Sequence, residues 1–70
     1  MRTFYCTFGL ASPIKNVLLQ VQSESRNKVV EVMVRKLGGS FCEVYQWDNK
    51  TAAEKAERNG YTIVDGGVIE

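Results

Sequence analysis

The groups in this chain that could do chemistry are two cysteines, Cys6 and Cys42, a scatter of hydroxyls, eight carboxylates and a set of aromatic rings; there is no histidine. The missing imidazole removes the commonest general base and the commonest metal ligand. Serine, threonine and cysteine therefore lack the neighbour that would make them nucleophiles. A structural zinc site takes four ligands, which two cysteines without histidine do not supply. In the cytosol a lasting disulfide is rare, so Cys6 and Cys42 read as two free thiols, with a redox pair as the alternative. Three of the carboxylates fall into charge pairs at i,i+4 spacing, Glu24 with Lys28, Glu31 with Arg35 and Glu54 with Arg58, which is the pattern of solvated helix faces. Asp65 stands beside Gly66 and Gly67 as a turn former. No carboxylate dyad emerges. The expectation is a protein that is not an enzyme and carries no metal and no cofactor.

The stretch over residues 9–16, GLASPIKN, follows an aromatic run and could be a phosphate cradle or a turn. A cradle needs several glycines, free backbone N–H groups and a helix start. Here there is one glycine, Pro13 removes a donor, and an apolar alternation follows. The expectation is a structural hairpin loop with Lys15 and Asn16 at its tip, where binding residues often sit.

The aromatic residues are the strongest lead, and the elements that would carry them can be read from periodicity. Residues 3–8 alternate, with Phe4, Cys6 and Phe8 on one face; residues 16–22 alternate again, with Val17, Leu19 and Val21 together. Both are strand patterns and predict a β-hairpin. Residues 23–37 fit a helix, with Ser23 as N-cap, Glu24 in the first turn, and Gly38 and Gly39 as the stop. Residues 41–47 read as a third strand, residues 50–59 as a second helix capped by Asp48 or Asn49 and ended by Gly60. Residues 61–64 read as a short fourth strand, residues 65–67 as a turn and residues 68–70 as a tail or brief strand. The order β-β-α-β-α-β predicts an α+β fold, an antiparallel or mixed sheet of three or four strands with two helices on one face. The opposite sheet face would then be open and would present Tyr5, Leu18, Phe41, Tyr45 and Trp47 as the partner-binding residues. An exposed apolar patch of that size marks an interaction surface, and tyrosine and tryptophan dominate binding hot spots.

Seventy residues make one small domain, which buries only about 60% of its unfolded surface and is marginally stable. Hydrophobic residues at 44% and charged residues at 24% are ordinary for a globular domain. No apolar run reaches the ~20 residues of a membrane span, and residues 1–4, MRTF, carry no leader cleavage region. The expected location is the cytoplasm, with no membrane partner. A net charge of +1 lacks the basic excess of proteins that grip phosphate backbones, which makes nucleic acid the secondary partner.

The segments FYCTFGLASPIKN, LLQVQSES, GGSFCEVY and ERNGY occur in one order along nearly the whole chain. In this the sequence resembles a group of very short proteins encoded by phages and prophages. That group has a Tyr/Phe-rich strand ending in Thr-Phe-Gly, a Pro/Asn turn and a Gly-Trp-x-x-x-Tyr strand. Thr7-Phe8-Gly9 and Tyr45 match, while Phe41 stands where the group places tryptophan. The resemblance implies a phage accessory protein in a bacterial cytoplasm and transfers no functional residue. With the aromatic face it yields the expectation of a non-enzymatic protein that docks on a bacterial host protein and inhibits or redirects it, in host takeover or anti-defence. A homodimer through the same face, or single-stranded nucleic-acid or nucleotide binding by base stacking on Tyr5, Tyr45 and Trp47, are the alternatives.

Overall fold

The structure, a computed structural model, describes residues 1–9, 13–38 and 41–69, with Phe41 and Cys42 described by their backbone alone. The elements are β1 (Arg2–Phe8), β2 (Val17–Ser23), α1 (Arg26–Leu37), β3 (Phe41–Tyr45), α2 (Asn49–Asn59) and β4 (Thr62–Val68). The α+β class, the element order and a four-stranded mixed sheet are as the alternation predicts. The strands lie in the order β3-β1-β2-β4. β1 pairs antiparallel with β2, from Arg2↔Ser23 to Cys6↔Leu19, and antiparallel with β3. β4 adds to β2 in parallel, with Val17↔Thr62 at one end.

Local chemistry explains the helix ends. The α1 cap is Ser25, not Ser23: Ser25 is extended (φ −149°, ψ 152°), and its hydroxyl accepts the Lys28 N–H at 3.2 Å. Ser23 is buried and still in the ladder opposite Arg2, so it cannot open a helix. The start moves two residues on and leaves Glu24 ahead of the first turn, which holds no acidic residue. In α2 the expected cap is present: Asp48 accepts the Thr51 N–H at 2.7 Å, and Gly60 closes the helix in the left-handed region. Of the three expected i,i+4 pairs, Glu31–Arg35 forms at 2.8 Å. Glu24 with Lys28 and Glu54 with Arg58 form no ion pair among the described residues.

The helices lie on opposite faces of the sheet, which corrects the one-face expectation. Phe4, Cys6, Phe8, Val21 and Val44 pack with Val29 and Met33 of α1, joined by Ile69. Tyr5 and Leu18 on the other face pack with Ala52 and Ala56 of α2. The reason lies in strand direction. β2, β3 and β4 run the same way and β1 runs against them. The chain therefore makes two parallel crossovers, β2-α1-β3 toward one edge and β3-α2-β4 back to the other. Crossovers of this kind are right-handed in about 98% of cases, and two of them travelling in opposite directions place their helices on opposite faces.

Both edge strands carry an irregularity. In β3 an extra residue separates the pairs Thr7↔Glu43 and Phe8↔Phe41. In β4 Asp65 pairs with Gln20 and Val68 with Gln22, so one residue more is used on β4 than on β2. Residues 65–67, expected as a turn, are thus a bulge inside one continuous seven-residue strand. Its chemistry is that of a turn: the Asp65 carboxylate accepts the Gly67 N–H at 2.9 Å, and Gly67 has φ +79°. Gly66 lies so close to the core that a Cβ there would stand 2.8 Å from Val21 Cγ1.

Candidate functional site

The five residues expected on an open aromatic face have separate fates. Tyr5 and Leu18 are buried beneath α2, because the alanines of that helix let its backbone approach the sheet closely. They are not accessible to a partner. The Phe41 side chain lies outside the described residues. Tyr45, at the end of edge strand β3, is 38% exposed. Trp47 follows β3, is half-buried, and packs against the α2-side cluster.

The three rings form a column. Tyr5 and Tyr45 are cross-strand partners, and Trp47 stacks on Tyr45 with centroids 4.5 Å apart and planes 10° from parallel. Trp47 also meets Tyr5, at 6.1 Å and 28°. The buried end is anchored: the Tyr5 hydroxyl donates to Asn49 Oδ1 at 2.9 Å. Burial first, and the nearby Asp48 carboxylate second, raise the Tyr5 phenol pKa above its ordinary value. Asp48 itself is held below the usual carboxylate range, chiefly by the Thr51 backbone N–H that it caps.

The open end of the column borders a cleft of about 450 Å³ between the sheet and α2. Gly9 lines it from just after β1, Tyr45 and Trp47 from β3 and the segment after it, Lys55 and Asn59 from α2, and Tyr61 from just before β4. Lys55 and Asn59 are four residues apart, so one helix face presents both. The Asn59 amide nitrogen donates to the Lys55 carbonyl at 3.0 Å, which leaves its oxygen as an acceptor. Lys55 has no carboxylate partner among the described residues, and the hydroxyls of Tyr45 and Tyr61 and the Trp47 indole N–H have no hydrogen-bond partner among them either. The Lys55 amine, the Tyr61 hydroxyl and the Trp47 indole N–H are all open to solvent. Sequence reading missed Lys55, Asn59 and Tyr61; the signal available was their position beside the Ala52/Ala56 stripe and the Gly60 stop.

Glu43, which the sequence set among the aromatics, reaches away to Arg26 at 2.7 Å and also accepts the Val44 N–H. Its charge is paired, although both partners are about half exposed and the bond contributes little stability. The thiol of Cys6 is free and buried, and burial pushes its pKa up to about 11; it is a core group and not a nucleophile. The Cys42 side chain lies outside the described residues. No cluster of metal-ligating side chains occurs among the described residues, and no helix among them is long and apolar enough to cross a membrane. Residues 13–16 of the loop are a run of turn, with the Ile14 carbonyl accepting the Val17 N–H and the Asn16 carbonyl accepting the Thr62 N–H. It joins strands, as expected.

A second surface was not legible beforehand. All seven residues of β4 are exposed, including Ile63 at 39%, Val64 at 41% and Val68 at 52%. β4 is an edge strand paired only with β2. Thr62 directs its N–H inward to the Asn16 carbonyl, so by the two-residue period of a strand Ile63 and Asp65 direct theirs outward. No protein-family model matches this chain, and no curated protein and no solved structure matches it.

Proposed function

We propose that this chain is a small, non-enzymatic interaction protein of phage type that docks on a bacterial host protein in the cytoplasm and blocks or redirects it. The observation that carries the docking mode is β4, an unpaired edge whose β-branched residues Ile63, Val64 and Val68 stay in water on both sides of the strand. Natural sheets blunt such edges with charged side chains, proline or bulges. Here Asp65 and the bulge at Gly66 and Gly67 blunt the C-terminal half, and no charge or proline stands in the N-terminal stretch Thr62–Val64. The regular part offers outward backbone groups at Ile63 and Asp65 flanked by apolar side chains, which suits an extended segment of a partner added alongside. The phage setting rests on the resemblance of the strand and turn motifs. With Tyr5 and Leu18 covered, the edge replaces the aromatic face as the docking surface.

The test is capture of partners from nuclease-treated bacterial lysate by tagged protein, with Ile63→Lys as the variant that puts a charge on the edge. The expected result is one stoichiometric host protein lost with Ile63→Lys, together with slowed amide exchange at Ile63 and Asp65 when that protein is added back. Capture that Ile63→Lys leaves intact, or recovery of nothing but further copies of the chain, would refute this docking mode.

A further inference from the structure

We infer that the cleft beside the Tyr5–Trp47–Tyr45 column is a second binding site, for a nucleotide-class ligand: a planar heteroaromatic ring bearing a phosphate. The inference is independent of β4. The cleft, at about 450 Å³, falls within the roughly 300–1,000 Å³ of small-molecule sites. Its chemistry is divided in the way such a ligand is divided. Tyr45 and Trp47, stacked on each other, both line the cleft, and Tyr45 is 38% exposed; a further flat ring can add to such a pair. Lys55 is the one charged residue of the lining. It has no carboxylate partner among the described residues, and an ammonium with no partner at a concave aromatic wall favours an anion. The acidic residues of the same helix, Glu54 and Glu57, line a separate depression with Arg58. Glu43, the residue whose charge would oppose a phosphate near the aromatics, is engaged by Arg26. The free oxygen of Asn59 and the hydroxyls of Tyr45 and Tyr61 supply the directional hydrogen bonds that the edge of a base requires.

The chain has a single tryptophan, so stacking next to Trp47 is read directly as fluorescence quenching. The experiment titrates the protein with AMP, GMP, CMP and UMP, and with adenosine and ribose 5-phosphate as half-ligands. At least one mononucleotide is expected to quench saturably below about 1 mM, adenosine more weakly, and ribose 5-phosphate not at all. Lys55→Gln removes a charge-assisted bond and is expected to weaken binding about tenfold or more. Gly9→Leu is expected to abolish it by filling the cleft; a Cβ at Gly9 would meet nothing within 4 Å and its φ is not positive, so the fold tolerates the change. The inference is overturned by an absence of saturable quenching with all four mononucleotides. It is equally overturned if ribose 5-phosphate binds as well as they do, or if folded Lys55→Gln and Gly9→Leu proteins keep the parent affinity.

Discussion

Replacing Gly66 by alanine would place a methyl group 2.8 Å from Val21 Cγ1 and 3.0 Å from Leu19 Cγ and Cδ1. These are sub-contact distances, since carbon pairs settle at about 3.5–4.0 Å. Relief would have to come from the neighbours. Val21 is buried and β-branched, so its χ1 has little freedom, and Leu19 packs against the same cluster. Overpacking of this kind costs about 1–3 kcal/mol. The lost backbone freedom of the unfolded chain returns about 0.4–1 kcal/mol in favour of alanine. The net expectation is destabilisation by about 1–2 kcal/mol, which for a domain of this size lowers Tm by roughly 5–15 °C. Thermal and urea unfolding followed by far-UV circular dichroism measure it. A double-mutant cycle locates the cause: in a Val21→Ala background, which removes the nearest atom, Gly66→Ala should cost distinctly less. An unchanged or raised Tm for Gly66→Ala, or strictly additive costs in the cycle, would refute the close approach of β4 to the core.

Other perturbations follow from the same contacts. Trp47→Ala removes a half-buried ring in contact with both Tyr45 and Tyr5 and should destabilise by about 2–4 kcal/mol; urea unfolding checks it, and an unchanged midpoint would make the ring contacts ornamental. Phe4→Ala empties the centre of the α1-side core at about 3–5 kcal/mol, comparable with the whole stability of a 70-residue domain, so its circular dichroism at 25 °C should be largely that of an unfolded chain. Cys6, buried and with its thiol pushed up to about 11, should resist alkylation in the native protein at pH 8 and label rapidly in urea, as peptide mapping would show. The cap at Asp48 has a depressed pKa, so its contribution is present above the ordinary carboxylate pKa of the unfolded chain and is lost as pH falls through the lower folded value. Melting temperature should therefore drop on acidification, and Asp48→Asn, which keeps a capping oxygen without the charge, should flatten that drop.

Where the determinant was local, the sequence was sufficient. The faces of β1 and β2 follow from alternation, the Asp48 cap and Gly60 stop from helix-end chemistry, and the hairpin from Pro13 and its neighbours. Ser25 displaced Ser23 as cap because Ser23 was claimed by the sheet, a pairing 21 residues away at Arg2. Asp65-Gly66-Gly67 has a turn composition and makes a turn-like hydrogen bond; only the parallel ladder to β2, set by distant residues, turns it into a bulge within a strand. The side on which α2 packs was not legible, since it depends on strand order and crossover direction, and neither is written in any one segment. That non-local choice hid Tyr5 and Leu18 and, by stopping short of Tyr45, made the cleft whose Lys55 and Asn59 looked like ordinary solvated helix residues.

The parallel pairing of β4 with β2 also sets an order of assembly. The β1–β2 hairpin closes across a short loop and gains its contacts early, whereas Thr62 must find Val17 across the whole of α1, β3 and α2. Closure over that span is paid in chain entropy before the ladder forms, and such long-range parallel contacts slow folding. Folding of this chain is therefore expected to end with β4: the hairpin and helices can gather first, and the last strand then zips on along with Ile69, whose N–H reaches the Gln22 carbonyl at 2.7 Å. Substitutions at Phe4 or Val21 should slow folding, while substitutions in β4 should mainly speed unfolding, making the exposed edge the part of the molecule that opens first and closes last.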